Sequence, residues 1–141
     1  MATGIGILLC DDLIFSSRIT GTAQHFGGRM RLARSLPAAL QLAQVDGAES
    51  APATVIVDLH LAGLDIAELV REFRTRFATP VTIIGYGSHV AVDVLKAARQ
   101  AGCDRVMPRS QFVEQLPVAM PEWLGLSESS APADSASPKS S

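Results

Sequence analysis

Short apolar runs of strand length recur along this chain, each followed by a stretch with the spacing of an amphipathic helix. That alternation restricts the fold more than any single residue does. "IGILLC" (5–10), "TVIVD" (54–58) and "VTII" (81–84) are nearly continuous apolar runs, the pattern of strands buried on both faces. "RMRLA" (29–33) alternates, and "DRVM" (104–107) is a last short strand. Between them, Phe15, Ile19 and Ala23 share one helical face, which Gly27 and Gly28 end. Ser35 is placed to cap a helix over "LPAALQLAQ", with Pro37 in its first turn. Ile66, Leu69, Val70, Phe73 and Phe77 form the stripe of the next helix, with arginines opposite. Val90, Val94, Leu95 and Ala98 form the inner face of a fourth helix, which Gly102 caps. Ser110 is placed to cap a fifth helix through Leu116, and Pro117 and Pro121 are expected to shorten or break it.

Strands alternating with helices predict right-handed βαβ units around a parallel sheet. At 141 residues the chain suits one α/β domain, a flavodoxin-like three-layer sandwich with a five-stranded parallel sheet in the order 2-1-3-4-5. That domain is expected over residues 1–125. Residues 126–141, "LSESSAPADSASPKSS", have almost nothing to bury and read as a disordered Ser/Ala/Pro-rich tail. Only 18% of residues are charged and the net charge is −2, with no basic patch interleaved with aromatics. Binding to nucleic acid or to an anionic membrane surface is therefore not expected. "MATGIGILLCDD" has no basic region before its short apolar run, so neither a signal peptide nor a membrane span is read there. Cys10 and Cys103 show no paired spacing and read as core residues in a reducing cytoplasm.

In open α/β sheets, sites form at the carboxyl ends of the strands. Asp11 and Asp12 leave the first strand, Asp58 ends the third, "GYGSH" follows the fourth and Arg109 follows the fifth. The first and third strands are neighbours in the expected order, so the three carboxylates should converge and repel one another. A hard divalent cation such as Mg2+ relieves that repulsion, and it commonly combines one or two carboxylates with a phosphate. An arginine opposite could hold the remaining phosphoryl oxygens. Each element taken singly has a plainer reading. "DD" after a strand is often a helix cap, and His60 and His89 read as surface histidines. No dinucleotide fingerprint, P-loop, nucleophile elbow or zinc spacing is present, so an independent enzyme is not expected.

"ILLCDD", "VIVDLHLAGLD" and "AARQAGCDRVMPRS" together resemble the receiver domain of bacterial response regulators, the CheY-like fold, over nearly the whole ordered chain. The resemblance implies that Asp11 and Asp12 are the acid pair, Asp58 the phosphoacceptor, Arg109 the lysine position and His60 the donor of a metal-binding backbone carbonyl. It implies Mg2+ as cofactor and a sensor kinase or phosphotransfer protein as partner. The sequence departs from the family at the switch hydroxyl, where Gly85 or Gly87 stands according to the alignment; Ser88 could supply a hydroxyl only if the loop shifts by one residue. Ala62 and Ser110 replace prolines of the family pattern. The leading reading is an atypical stand-alone receiver in a two-component or phosphorelay pathway, acting through protein contacts. A pseudo-receiver that serves as a phosphorylation-independent interaction module is the alternative. A flavodoxin-like domain binding a small ligand over Gly85–Ser88 is a weaker third reading.

Overall fold

A computed structural model describes residues 4–45, 48–49 and 51–126. The elements are β1 (Ile5–Leu9), α1 (Leu13–His25), β2 (Arg29–Ala33), α2 (Leu36–Leu42), β3 (Gln44–Val45), β4 (Ala48–Glu49), β5 (Thr54–Asp58), α3 (Ile66–Thr75), β6 (Thr82–Gly87), α4 (Val92–Ala101), β7 (Arg105–Pro108) and α5 (Arg109–Trp123). Five strands pair in parallel in the order β2-β1-β5-β6-β7, which is the expected 2-1-3-4-5 arrangement. The antiparallel pair β3–β4 had no counterpart in the sequence reading. Two-residue strands carry too little period to be recognised. The expected tail lies outside the described residues, apart from Leu126.

Side chains alternate across the sheet, as the two-residue period of a strand requires. Ile7, Leu9, Val55, Val57 and Ile83 face α2, α3 and α4. Leu8, Cys10, Ile56, Ile84 and Tyr86 face α1 and α5. Both faces are covered, which is why these strands read as unbroken apolar runs. Ser35 caps α2 by accepting from the Ala38 amide at 3.2 Å. Gly102 ends α4 at φ 109°, a left-handed conformation that suits a residue without Cβ.

The far end of the sheet is tied by Arg74 of α3. Its guanidinium donates to the carbonyls of Val81 and Gly102 and pairs with Asp104 at 2.8 Å. Asp104 in turn accepts from the Ile83 amide at 2.7 Å. One side chain thus joins α3 to the starts of β6 and β7 and to the end of α4.

Several expectations need correction. α5 does not stop at Leu116: it starts at Arg109, with Pro108 rather than Ser110 at the cap, and runs through Pro117 and Pro121 to Trp123. Its apolar stripe is Phe112, Leu116, Met120 and Trp123, all buried, while Pro117 and Pro121 lie off that stripe. The prolines forgo two backbone hydrogen bonds, and burial of the stripe outweighs that loss. Val90 is not on an inner helical face. It is 74% exposed, because α4 begins only at Val92. The fourth sheet strand also continues past "VTII" through Gly85, Tyr86 and Gly87, so those glycines are strand residues and not loop.

Candidate functional site

The site lies where β1, β5, β6 and β7 end. Asp58 is the last residue of β5 and only 5% exposed. Its Oδ1 accepts from the His60 amide at 2.9 Å. Among the described residues no donor is hydrogen-bonded to its other oxygen. Asp11 and Asp12 follow β1, which pairs with β5 directly, and both are exposed. Asp12 is the N-cap of α1, its Oδ1 accepting from the Phe15 amide at 3.0 Å. The cap reading of "DD" therefore holds for Asp12, and it leaves one oxygen uncommitted.

The acid pair and Asp58 thus share one edge of the sheet. Among the described residues, no three His, Cys, Asp or Glu side chains gather into a group that could hold a metal ion. The donor chemistry at this edge is nonetheless hard oxygen: carboxylates of Asp11, Asp12 and Asp58 and the backbone carbonyl of His60. It fits Mg2+, which keeps several waters and needs few protein ligands.

The glycines at the expected switch position are closed in. A Cβ on Gly85 would stand 3.0 Å from the Leu59 side chain, and one on Gly87 would stand 3.1 Å from His60 Nε2. His60 reaches across to this segment, its Nε2 accepting from the Ser88 amide at 2.9 Å, which places the ring proton on Nδ1. The Ser88 hydroxyl oxygen accepts from the Val90 amide at 3.3 Å. A side chain at either glycine would press on Leu59 or His60, which would have to give by a few tenths of an ångström. Beside this segment is an open cavity of about 510 Å3 lined by Ser88, His89, Pro108, Arg109, Ser110 and Val113.

Tyr86 is the residue the sequence reading missed. It is paired in register with Asp58 and fully buried on the α1–α5 face. Its ring stacks on Phe112 at 4.7 Å and meets Phe15 at 5.0 Å. Its hydroxyl, beside the Cys10 sulfur, makes no hydrogen bond of ordinary geometry among the described residues. Arg109 lies over the same rings, 5.4 Å from the Phe15 centroid and 5.9 Å from that of Tyr86. The only available signal was a lone tyrosine inside an apolar strand, and nothing in its spacing points to an arginine.

Burial pushes the Tyr86 phenol far above its ordinary range, with the Cys10 hydrogen-bonding contact and the Asp58 charge adding and Arg109 opposing. Burial, helped by Asp104 and opposed by Arg74, pushes the Cys103 thiol up to about 11. Both groups hold their protons more tightly folded than unfolded. Their contribution to stability is therefore constant below the ordinary values of 9.0 for the thiol and 10.0 for the phenol, and falls as the pH rises past them. Tyr86 is the chain's single tyrosine, so the pH-dependent rise in absorbance at 295 nm reports it alone. The folded protein should show no phenolate step near pH 10, whereas the urea-unfolded chain should show a full one. A normal step in the folded protein would contradict the burial of this hydroxyl.

No protein-family model matches this sequence, and no curated protein matches it. Solved structures do match. The receiver domain of the sensor histidine kinase PA1611 from Pseudomonas aeruginosa PAO1 aligns over 86% of this chain and 97% of its own, with a TM-score of 0.67 and 20% identity. The chain has the receiver-domain fold. That PA1611 receiver structure carries a magnesium ion coordinated in its active-site cleft. NtrX from Brucella abortus, in complex with ATP, aligns over 92% of this chain with a TM-score of 0.69 and 18% identity. This chain spans only 28% of that NtrX chain. A response regulator from Burkholderia pseudomallei, solved with a phosphorylated aspartic acid and a calcium ion, aligns over 84% of this chain and 69% of its own, at a TM-score of 0.60 and 18% identity. Among the described residues no helix is long and apolar enough to cross a membrane.

Proposed function

We propose that this protein is an atypical receiver module of two-component or phosphorelay signalling, that Asp58 accepts a phosphoryl group, and that its output runs through protein contacts. The observation that carries this reading is the state of Asp58. It is a buried carboxylate at the carboxyl end of a central strand, held at one oxygen by the His60 amide and with no donor on the other. Asp11, Asp12, Asp58 and the His60 carbonyl would hold Mg2+. When bound, the cation neutralises charge on the transferring group and orients its oxygens.

The chain's own part is nucleophilic. The uncommitted Asp58 oxygen attacks phosphorus in a phosphohistidine or a small acyl phosphate. The bond from phosphorus to the donor breaks, its electron pair leaves with the donor, and an acyl phosphate forms on Asp58. Arg109 neutralises the phosphoryl oxygens. A sensor kinase or phosphotransfer protein supplies the group in the cytoplasm, and the domain itself is not an enzyme. A pseudo-receiver that works without phosphate is the second reading, favoured by the crowding of Gly85 and Gly87 by Leu59 and His60. Small-ligand binding beside Ser88 is the third, supported by the cavity there.

Addition of Mg2+ with beryllofluoride should shift the amides around Asp58, His60 and Arg109, and Asp58→Asn should abolish the response. With Gly85 or Gly87 in place of a hydroxyl, the shifts should remain near the site and fade along α4 and β7. Absence of any Mg2+-dependent shift would rule out the acceptor and leave the interaction module.

A further inference from the structure

The lysine position is filled by arginine, and the structure gives that exchange a physical reason. Arg109 is the first residue of α5, exposed to solvent, and among the described residues its side chain forms no ion pair or hydrogen bond. Its guanidinium carbon nevertheless lies within cation–π range of two rings, Phe15 and Tyr86. The two ring planes are tilted by 53° and so form a notch rather than a flat platform. Tyr86 is backed by Phe112, which stacks in turn on Trp123. The notch therefore rests on the core and cannot easily shift.

We infer that Phe15 and Tyr86 are positioning residues that hold Arg109 as a fixed anion receptor at the Asp58 site. This rests on the reading of Asp58 as phosphoacceptor and deepens it. The guanidinium is held beside the two rings by its Cζ, and its N–H fork, which has no protein partner among the described residues, can serve two oxygens of a phosphoryl group. A lysine ammonium is a compact, strongly hydrated point charge and offers no such fork. Because the cation is held by rings and not by a carboxylate, binding of an anion breaks no salt bridge. The receptor stays in place whether or not phosphate is present. Together with the crowding at Gly85 and Gly87, this makes occupancy of the site a local event.

Ring currents make the arrangement directly visible. In the full chain, the Arg109 δ-protons should resonate upfield of free arginine, assigned by their loss in Arg109→Lys. They should move back in Phe15→Leu and remain upfield in Phe15→Trp. Affinity for beryllofluoride in the presence of Mg2+ should fall roughly three- to tenfold in Phe15→Leu and in Arg109→Lys, and should be retained in Phe15→Trp. Unshifted Arg109 protons in the unmutated protein would overturn the inference, as would wild-type affinity in Phe15→Leu. If that variant does not fold, the wild-type shift and Phe15→Trp still decide. If the unmutated protein takes up no beryllofluoride, the acceptor reading fails, whereas the proton shifts continue to test the cradle.

Discussion

Phe112→Ala is expected to cost about 3–5 kcal/mol of stability, the usual range for deleting a fully buried phenyl ring. Phe112 is 0% exposed on α5 and stacks on both Tyr86 and Trp123, at 4.7 and 5.7 Å. It also lies 6.0 Å from the Phe15 ring. Its removal opens a cavity among large rigid rings that cannot collapse into it, so the penalty should lie well above simple transfer of the side chain. Trp123 is the chain's single tryptophan, so urea unfolding followed by its fluorescence reads the effect without ambiguity. A loss of less than about 1 kcal/mol would mean that α5 is not anchored by this stack. The same variant removes the backing of Tyr86, so the Arg109 ring-current shift should weaken with it.

Arg74→Ala is expected to cost about 2–3 kcal/mol. The ion pair with Asp104 contributes little of this, since its side chains are 34% and 43% exposed and water screens them. The larger part comes from the carbonyls of Val81 and Gly102, which lose a charged donor, and from freeing three chain segments that one guanidinium joins. Arg74→Lys should not rescue the loss, because a single ammonium cannot serve three acceptors arranged around a planar fork. A double-mutant cycle with Asp104→Ala separates the parts. Coupling near zero together with an intact single-mutant cost would assign the stabilisation to the carbonyls. Full rescue by lysine would contradict the fork.

Much of the fold was legible because burial imposes a period on the sequence. "TVIVD" reads as a doubly covered strand because it is one, and the stripe of Leu69, Val70 and Phe73 is the buried face of α3. The misses have the same origin in reverse. Pro117 and Pro121 signalled a break, yet the stripe from Phe112 to Trp123 overrides two absent backbone bonds. Val90 matched the helical spacing but falls before the helix begins. "GYG" resembled a loop, yet pairing with β5 and β7 draws those glycines into β6.

The carboxylates at the strand ends and the position of Arg109 were determined by the sequence alone, since strand polarity and order follow from local apolar runs and short connections. Only the tertiary structure decided what surrounds them. Arg109 and Phe15 are remote in the chain, and no periodicity relates an arginine at the start of α5 to rings on α1 and β6. Likewise, Leu59 and His60, in the turn after β5, stand against Gly85 and Gly87 of the neighbouring β6. Such contacts arise from packing between elements, which a local sequence pattern does not encode. The acidic edge is written in the chain, whereas the aromatic cradle and the crowding at Gly85 and Gly87 exist only once the elements have packed together.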